Sequence, residues 1–202
     1  MPKALDLFCS AGGVSVGLQR AGFDVTGIDI LPQPHYRGGT FKQGDAMEVL
    51  QDRSFLRSFD FIHASPPCQG YSPLRHLHPK SDHVVGAPLR DPWLLCGSFF
   101  GLGCVGEDGV YRPLRRHRLF EVSWGEGESL CRCDGRQCVG VYGGGATRPG
   151  VNSKSGWSAT APQAREALGI DWMNRTELAQ AIPPAYAEWL GQEALAKQQA
   201  KP

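Results

Sequence analysis

Several common signatures are missing from this sequence of 202 residues, and each absence removes a class of protein. Charge of one sign is not in excess. The 21 Lys and Arg stand against 20 Asp and Glu, a formal net charge of +1, so any basic surface for nucleic acid must be local. No apolar run reaches transmembrane length, and no signal peptide is visible. Internal repeats and low-complexity tracts are also missing, which leaves one domain large enough for a real core. Disorder is disfavoured too. The 26 Gly and 15 Pro imply many loops but stay below the level of a disordered chain. Seven cysteines is an odd number, and with no secretory signal it reads as reduced thiols in a cytoplasm.

What is present centres on Phe59 to Ser72, F-D-F-I-H-A-S-P-P-C-Q-G-Y-S. Phe59, Phe61, Ile62 and Ala64 make the short apolar run of a buried strand, and Ser65-Pro66-Pro67 ends it. Neither proline can donate to a sheet ladder, so Cys68 is expected on a stiff loop past the carboxyl end of a strand. In open α/β sheets that rim is where ligands bind. A free cysteine is usually a small buried hydrophobe, but prolines, glycine and polar neighbours make a poor core around this one.

The N-terminal third reads as alternating strands and helices. Ala4 to Cys9 predicts a buried strand, Ser10 to Gly13 a turn, and a helix follows to about Ala21. Gly12 and Gly13 permit a close backbone approach, either to a ligand or simply for the geometry of an ordinary strand–turn–helix. This turn is not G-x-G-x-x-G, so a dinucleotide fingerprint is not supported there. Asp24 to Ile30 predicts a second strand with Asp29 at its end, roughly 20 residues on, where an acid can hold a ribose hydroxyl. Phe41 to Gly44 predicts a third strand, and Asp45 caps a helix running to about Asp52.

The later chain is less regular. Pro73 to Lys80 is a basic loop, and Tyr111 to Glu121 is the most basic cluster. On one strand, Arg116 and Arg118 would face the same side, suited to a base or a phosphate, or to a solvated edge. Gly125 to Gly156 is loop-rich. Its Cys131, Cys133 and Cys138, with Cys104 or His117, offer zinc ligands, but without a clean C-x-x-C pair no metal is expected. Ala161 to Leu168 predicts a helix. Asn174 with Glu177 resembles a capping box, and Pro183-Pro184 opens a last helix with Ile182, Tyr186, Trp189 and Leu190 on its apolar face. From Gln192 a frayed polar tail is expected.

Two of these stretches carry a family resemblance. S-P-P-C-Q-G-Y-S (65–72) resembles the nucleophile loop of the DNA (cytosine-5) methyltransferases, and D-L-F-C-S-A-G-G-V-S-V-G-L-Q-R-A-G-F (6–23) resembles that family's opening cofactor motif. The general look is that of compact phage-encoded methylases. The resemblance implies an α/β, Rossmann-like S-adenosylmethionine-dependent methyltransferase fold, with a reduced mixed sheet and flanking helices. It implies S-adenosyl-L-methionine as cofactor and double-stranded DNA as partner, for a monomer working in a bacterial or phage-infected cytoplasm. Phe8, Ser10, Ala11, Gly12 and Gly13 would line the methionine side of the cofactor, Asp29 would hold the ribose and Ile30 would cover the adenine. Asp45 would accept from the adenine amino group, with Ala46, Pro67, Gln180 and Ala181 completing the pocket. Cys68 would be the nucleophile, and Gln69, Ser72, Arg116 and Arg118 would hold the target base.

The sequence departs from the family pattern in two places. Asp82-His83-Val84 stands where Glu-Asn-Val is expected, making Asp82 the candidate acid, and Leu114 replaces the glutamine of a Q-x-R-x-R strand. Two other readings therefore stay open: a shortened relic that binds cofactor or DNA without turnover, and a cysteine-based redox or metal-binding protein.

Overall fold

The computed structural model describes residues 1–66, 90–142, 152–153 and 156–200. The frame is a parallel sheet of β1 (Lys3–Leu7), β2 (Asp24–Asp29), β3 (Thr40–Gln43) and β4 (Phe61–Ala64), in the order β3-β2-β1-β4. The alternation of β1 explains why helices cover both faces. Leu5 and Leu7 point with Ile28 and Ala46 toward α2 (Ala46–Val49) and α3 (Arg53–Leu56). Ala4 packs on the other face with Val14, Leu18, Phe23, Val25, Phe61, Ala187 and Ala194, between α1 (Gly13–Arg20) and α6 (Pro184–Gln199). Full burial of Leu18 and Phe23 stabilises this layer by about 1.5–3 kcal/mol each.

The remaining strands form small sheets. These are β5 (Trp93–Leu95) between β8 (Arg118–Phe120) and β9 (Ser129–Leu130), the pair β6 (Gly103–Val105) and β7 (Tyr111–Pro113), and β12 (Gly156–Ser158) between β10 (Val139–Gly140) and β11 (Asn152–Ser153). The described architecture is thus α/β with mixed sheets. The mixing lies in these small sheets, while the four-stranded sheet is wholly parallel.

Four expectations need correction. The strand at Phe61 is not buried on both faces: it lies at an edge of the described sheet, and Ile62 is 43% exposed. The helix opened by Asp45 stops after one turn. Asp52 then caps a second helix by accepting the N–H groups of Ser54 and Phe55, a local carboxylate bond that competes with continuing the first. The basic stretch 111–121 is two strands, not one, interrupted where Leu114 bridges Val139 and Arg116 turns inward. The C-terminal tail does not fray at Gln192. α6 runs to Gln199, because Gly191 lies against Ala21 and Phe23 and Ala194 is buried on the same layer.

Elsewhere the local signals hold. α4 (Ala161–Leu168) is capped by Thr160, and α5 (Arg175–Gln180) by Asn174, whose side chain accepts from Thr176 and Glu177 while Glu177 accepts from the Asn174 N–H.

Candidate active site

Because the four strands run parallel, their carboxyl ends share one rim. The register sets Leu7 beside Ile28 and Ala64, and Asp29 beside Gln43. Phe8–Gly13, Asp29–Ile30, Gly44–Asp45 and Ser65–Pro66 therefore all leave the sheet on the same side. Hydrogen bonds stitch these exits together. Ser10 donates its N–H to Asp29 Oδ2 at 2.9 Å, and Leu31 donates to Asp29 Oδ1 at 3.1 Å. Gly44 N–H reaches the Asp29 carbonyl at 2.9 Å, and the Gln43 amide reaches the Ile30 carbonyl at 3.0 Å. Ser65 N–H donates to the Leu7 carbonyl at 3.3 Å and its hydroxyl to the Phe8 carbonyl at 3.4 Å.

The loop after β1 is unusual in its backbone. Phe8 and Ser10 both adopt positive φ, 60° and 46°, as does Gly12 at 84°. Non-glycine residues held there cost of order 1–3 kcal/mol each, and such strain concentrates at functional sites. The two glycines make close approaches, but to protein: a Cβ on Gly12 would collide with the Arg37 carbonyl, and one on Gly13 with the Ile182 carbonyl. Trp172 Nε1–H also donates to the Ala11 carbonyl at 2.8 Å, and Arg37 lies over the Trp172 ring. The segments before α5 and α6 thus return onto this turn. Ile30 remains 61% exposed on the rim, Ala46 is buried beneath it, and Asp45 accepts the Met47 N–H at 2.8 Å as an N-cap. An open cleft of about 360 Å³ lies one step inside this row, lined by Ile28, Lys42, Gly44 and Phe55 among others.

Beneath the turn sits a buried carboxylate that sequence reasoning missed. Asp6 is fully buried in β1, accepting from Ser15 of α1 at 2.5 Å and paired with His63 Nδ1 of β4 at 2.9 Å. An aspartate inside an otherwise apolar strand was the available signal. A buried carboxylate needs such partners. These two lock the start of α1 and the end of β4 to the central strand.

The two arginines separate. Arg118 is half-buried on β8, whereas Arg116 is 5% exposed and donates to three carbonyls: Ala181 at 2.8 Å, Val141 at 2.7 Å and Ala179 at 2.8 Å. Burial and the Arg118 charge lower its pKa to about 9. The expected side-by-side pair is therefore corrected. Arg116 ties the C-terminal end of α5 to the chain before β8, and its fork is engaged by backbone. Gln180 is exposed at the end of α5, and Ala181 supplies a carbonyl to Arg116.

Residues 2–83 match the family model of the C-5 cytosine-specific DNA methylase. No curated protein and no solved structure matches the chain. The match supports a DNA cytosine-5 methyltransferase acting on DNA, and C-5 DNA methylases take their methyl group from S-adenosylmethionine. It spans β1 to β4 and the loops at their carboxyl ends. Pro67, Cys68, Gln69, Ser72 and Asp82 lie outside the described residues. No helix among the described residues is long and apolar enough to cross a membrane. The cysteines also regroup: His117, Cys131 and Cys133 come together with Cys96, a residue outside the expected ligand set, while Cys104 and Cys138 are buried outside that group.

Proposed function

We propose that this chain transfers a methyl group from S-adenosylmethionine to C5 of cytosine in double-stranded DNA, through a covalent adduct on Cys68. The observation that carries this reading is the pair of bonds from Ser65 to Leu7 and Phe8. They fasten the first residue of Ser65-Pro66-Pro67-Cys68 to the start of the loop whose Ser10 N–H is held by Asp29. The parallel order β3-β2-β1-β4 supports the Rossmann-like arrangement, in which ligands sit beyond the carboxyl ends of the strands.

The side chains on the rim suit the cofactor. Each oxygen of Asp29 takes one backbone N–H and keeps acceptor capacity for ribose hydroxyls, and Asp45 keeps an oxygen for an adenine amino group. Exposed Ile30 offers apolar cover for the adenine ring, and the backbone of Phe8 to Gly13 borders the remainder. The family resemblance assigns Gln180, Ala181 and Pro67, the last of which lies outside the described residues, to the same pocket. S-adenosylmethionine bound there supplies an electrophilic methyl group.

The chain's own residues do the rest. Cytosine C5 becomes nucleophilic only after addition at C6, so Cys68 must ionise below the free thiol value of about 8.5 to add there. Asp82, in the place of the family glutamate, delivers the proton to N3 that the addition requires. Flipping the base out of the duplex costs a few kcal/mol, and Gln69, Ser72 and Arg118 hold it once out. Arg116 positions Arg118 from within the core. Duplex DNA carrying 5-fluorocytosine tests the proposal, because fluorine blocks the final loss of the C5 proton and the adduct persists. Cofactor-dependent cross-linking at Cys68 is expected. Cofactor binding without any adduct would overturn turnover and leave the non-catalytic relic.

A further inference from the structure

We propose that Cys96, His117, Cys131 and Cys133 form a closed tetrahedral zinc site that staples the strand bearing Arg118 to its neighbours. This site is independent of the methyl-transfer reading. The four ligand atoms all lie within 4.8 Å of one another. Cys96 Sγ and Cys133 Sγ are 3.6 Å apart, and His117 Nε2 is 3.3 Å from Cys131 Sγ. Zinc bonds of about 2.3 Å to sulfur and about 2.0–2.1 Å to nitrogen give tetrahedral edges of roughly 3.8 and 3.6 Å. An ion therefore fits with shifts of a few tenths of an ångström along these edges. The sulfur separation is also far beyond the roughly 2.05 Å of a disulfide, and all three thiols are free.

The sheet delivers these groups to one place. β5 runs parallel to β9 with Leu95 beside Leu130, and antiparallel to β8 with Leu95 beside Arg118. One step further along β5, Cys96 falls beside Cys131 on one flank and His117 on the other. Cys133 then turns back toward Cys96. The Ser98 hydroxyl lies 3.3 Å from Cys96 Sγ, 3.5 Å from Cys133 Sγ and 3.9 Å from Cys131 Sγ, and it accepts the Arg132 N–H at 2.9 Å. A hydroxyl in contact with three sulfurs is the kind of outer partner that orients thiolate ligands.

The donor set selects the ion and its role. Three thiolates and an imidazole, with no carboxylate, suit zinc and not calcium or magnesium. Four protein ligands leave no open position for a reacting water, so the ion is structural. The strands it joins are short, with three, three and two residues. Leu95 and Phe120 pack this sheet on Tyr186 and Leu190 of α6, and the ion would add a second tie on the sheet's other end.

The test uses the full chain, reduced and folded, with Co²⁺ as the spectroscopic probe and elemental analysis for zinc. About one equivalent of metal per chain is expected, with the ligand-field and thiolate charge-transfer absorption of a tetrahedral thiolate site, and a lowered melting temperature after chelation. Cys96→Ser and Cys131→Ser should lose that absorption, while Cys9→Ala and Cys104→Ala should retain it. The titration of the unsubstituted chain decides even where a variant fails to fold. No thiolate–cobalt absorption from the folded, reduced protein would overturn the site. A Cys96–Cys133 disulfide in the native protein, or absorption unchanged in Cys96→Ser, would do the same.

Discussion

Arg116 Nε donates to the Ala181 carbonyl at 2.8 Å, tying the chain just before β8 to the residue that ends α5. With Val141 and Ala179 accepting as well, truncation would strand three carbonyls in a buried site. Such groups cost about 1–3 kcal/mol each when left unpaired. Arg116→Ala should therefore lose about 3–5 kcal/mol of folding stability, less than the plain sum because water can enter. Arg118→Ala should lose much less stability and yet lose methylation. Equal losses of stability in urea melts of the two variants would refute the division of labour.

The acid at the end of β2 faces the proposed ribose site. Asp29→Ala removes charge-assisted hydrogen bonds of about 1.5–3 kcal/mol, so calorimetry should show cofactor affinity falling about 10- to 100-fold. Because Ser10 is exposed, water can take over its N–H, and the fold should survive. Unchanged affinity would remove Asp29 from the cofactor site.

Cys68→Ser separates chemistry from binding. A hydroxyl is far less ionised than a thiol at neutral pH, so addition to C6 fails while the cofactor rim is untouched. 5-Methylcytosine formation should drop to background with cofactor affinity within a factor of about two of the parent. Retained methylation would end the nucleophile assignment.

Gly12 distinguishes a glycine kept for the fold from one kept for a ligand. Its φ of 84° and the Arg37 carbonyl beside its missing Cβ belong to the protein itself. Gly12→Ala should then destabilise the cofactor-free chain by about 1–3 kcal/mol. A cofactor-free melt unchanged from the parent, with only binding impaired, would return Gly12 to the ligand.

What was legible in the sequence was local. The apolar stretches Ala4 to Cys9 and Asp24 to Ile30 fall on β1 and β2, Ala161 to Leu168 coincides with α4, and the Asn174–Glu177 capping pair marks the start of α5. The parallel sheet puts Asp29 and the Ser10 turn on one rim, which their spacing had suggested. What escaped were partnerships between distant segments. Asp6 with His63, Arg116 with the end of α5, and Cys96 with Cys133 are separated by dozens of residues, and nothing in the spacing of either member names the other. Arg116 was misplaced for a related reason. Alternation fixes a side only while the strand is continuous, and the break between β7 and β8 cancels that rule.

The Arg112–Asp108 pair gives a pH signature away from the rim. Arg112 is 5% exposed, lies over the Trp157 ring, and grips both Asp108 oxygens at 2.8 and 2.6 Å. Its hydrogen bonds hold the Asp108 carboxyl well below the usual carboxylate range. A depressed carboxylate contributes stability that is fully present above its unfolded value, about 3.9, and is lost as pH falls through the folded value. The stability gap between the parent and Asp108→Asn should therefore be constant from neutral pH down to about pH 4 and narrow below it. Other titrating groups act on both proteins alike, so the difference between paired urea melts isolates this carboxylate. A gap that does not change between neutral pH and strong acid would mean that Arg112 is held by Gln137 and the Trp157 ring, with Asp108 contributing nothing.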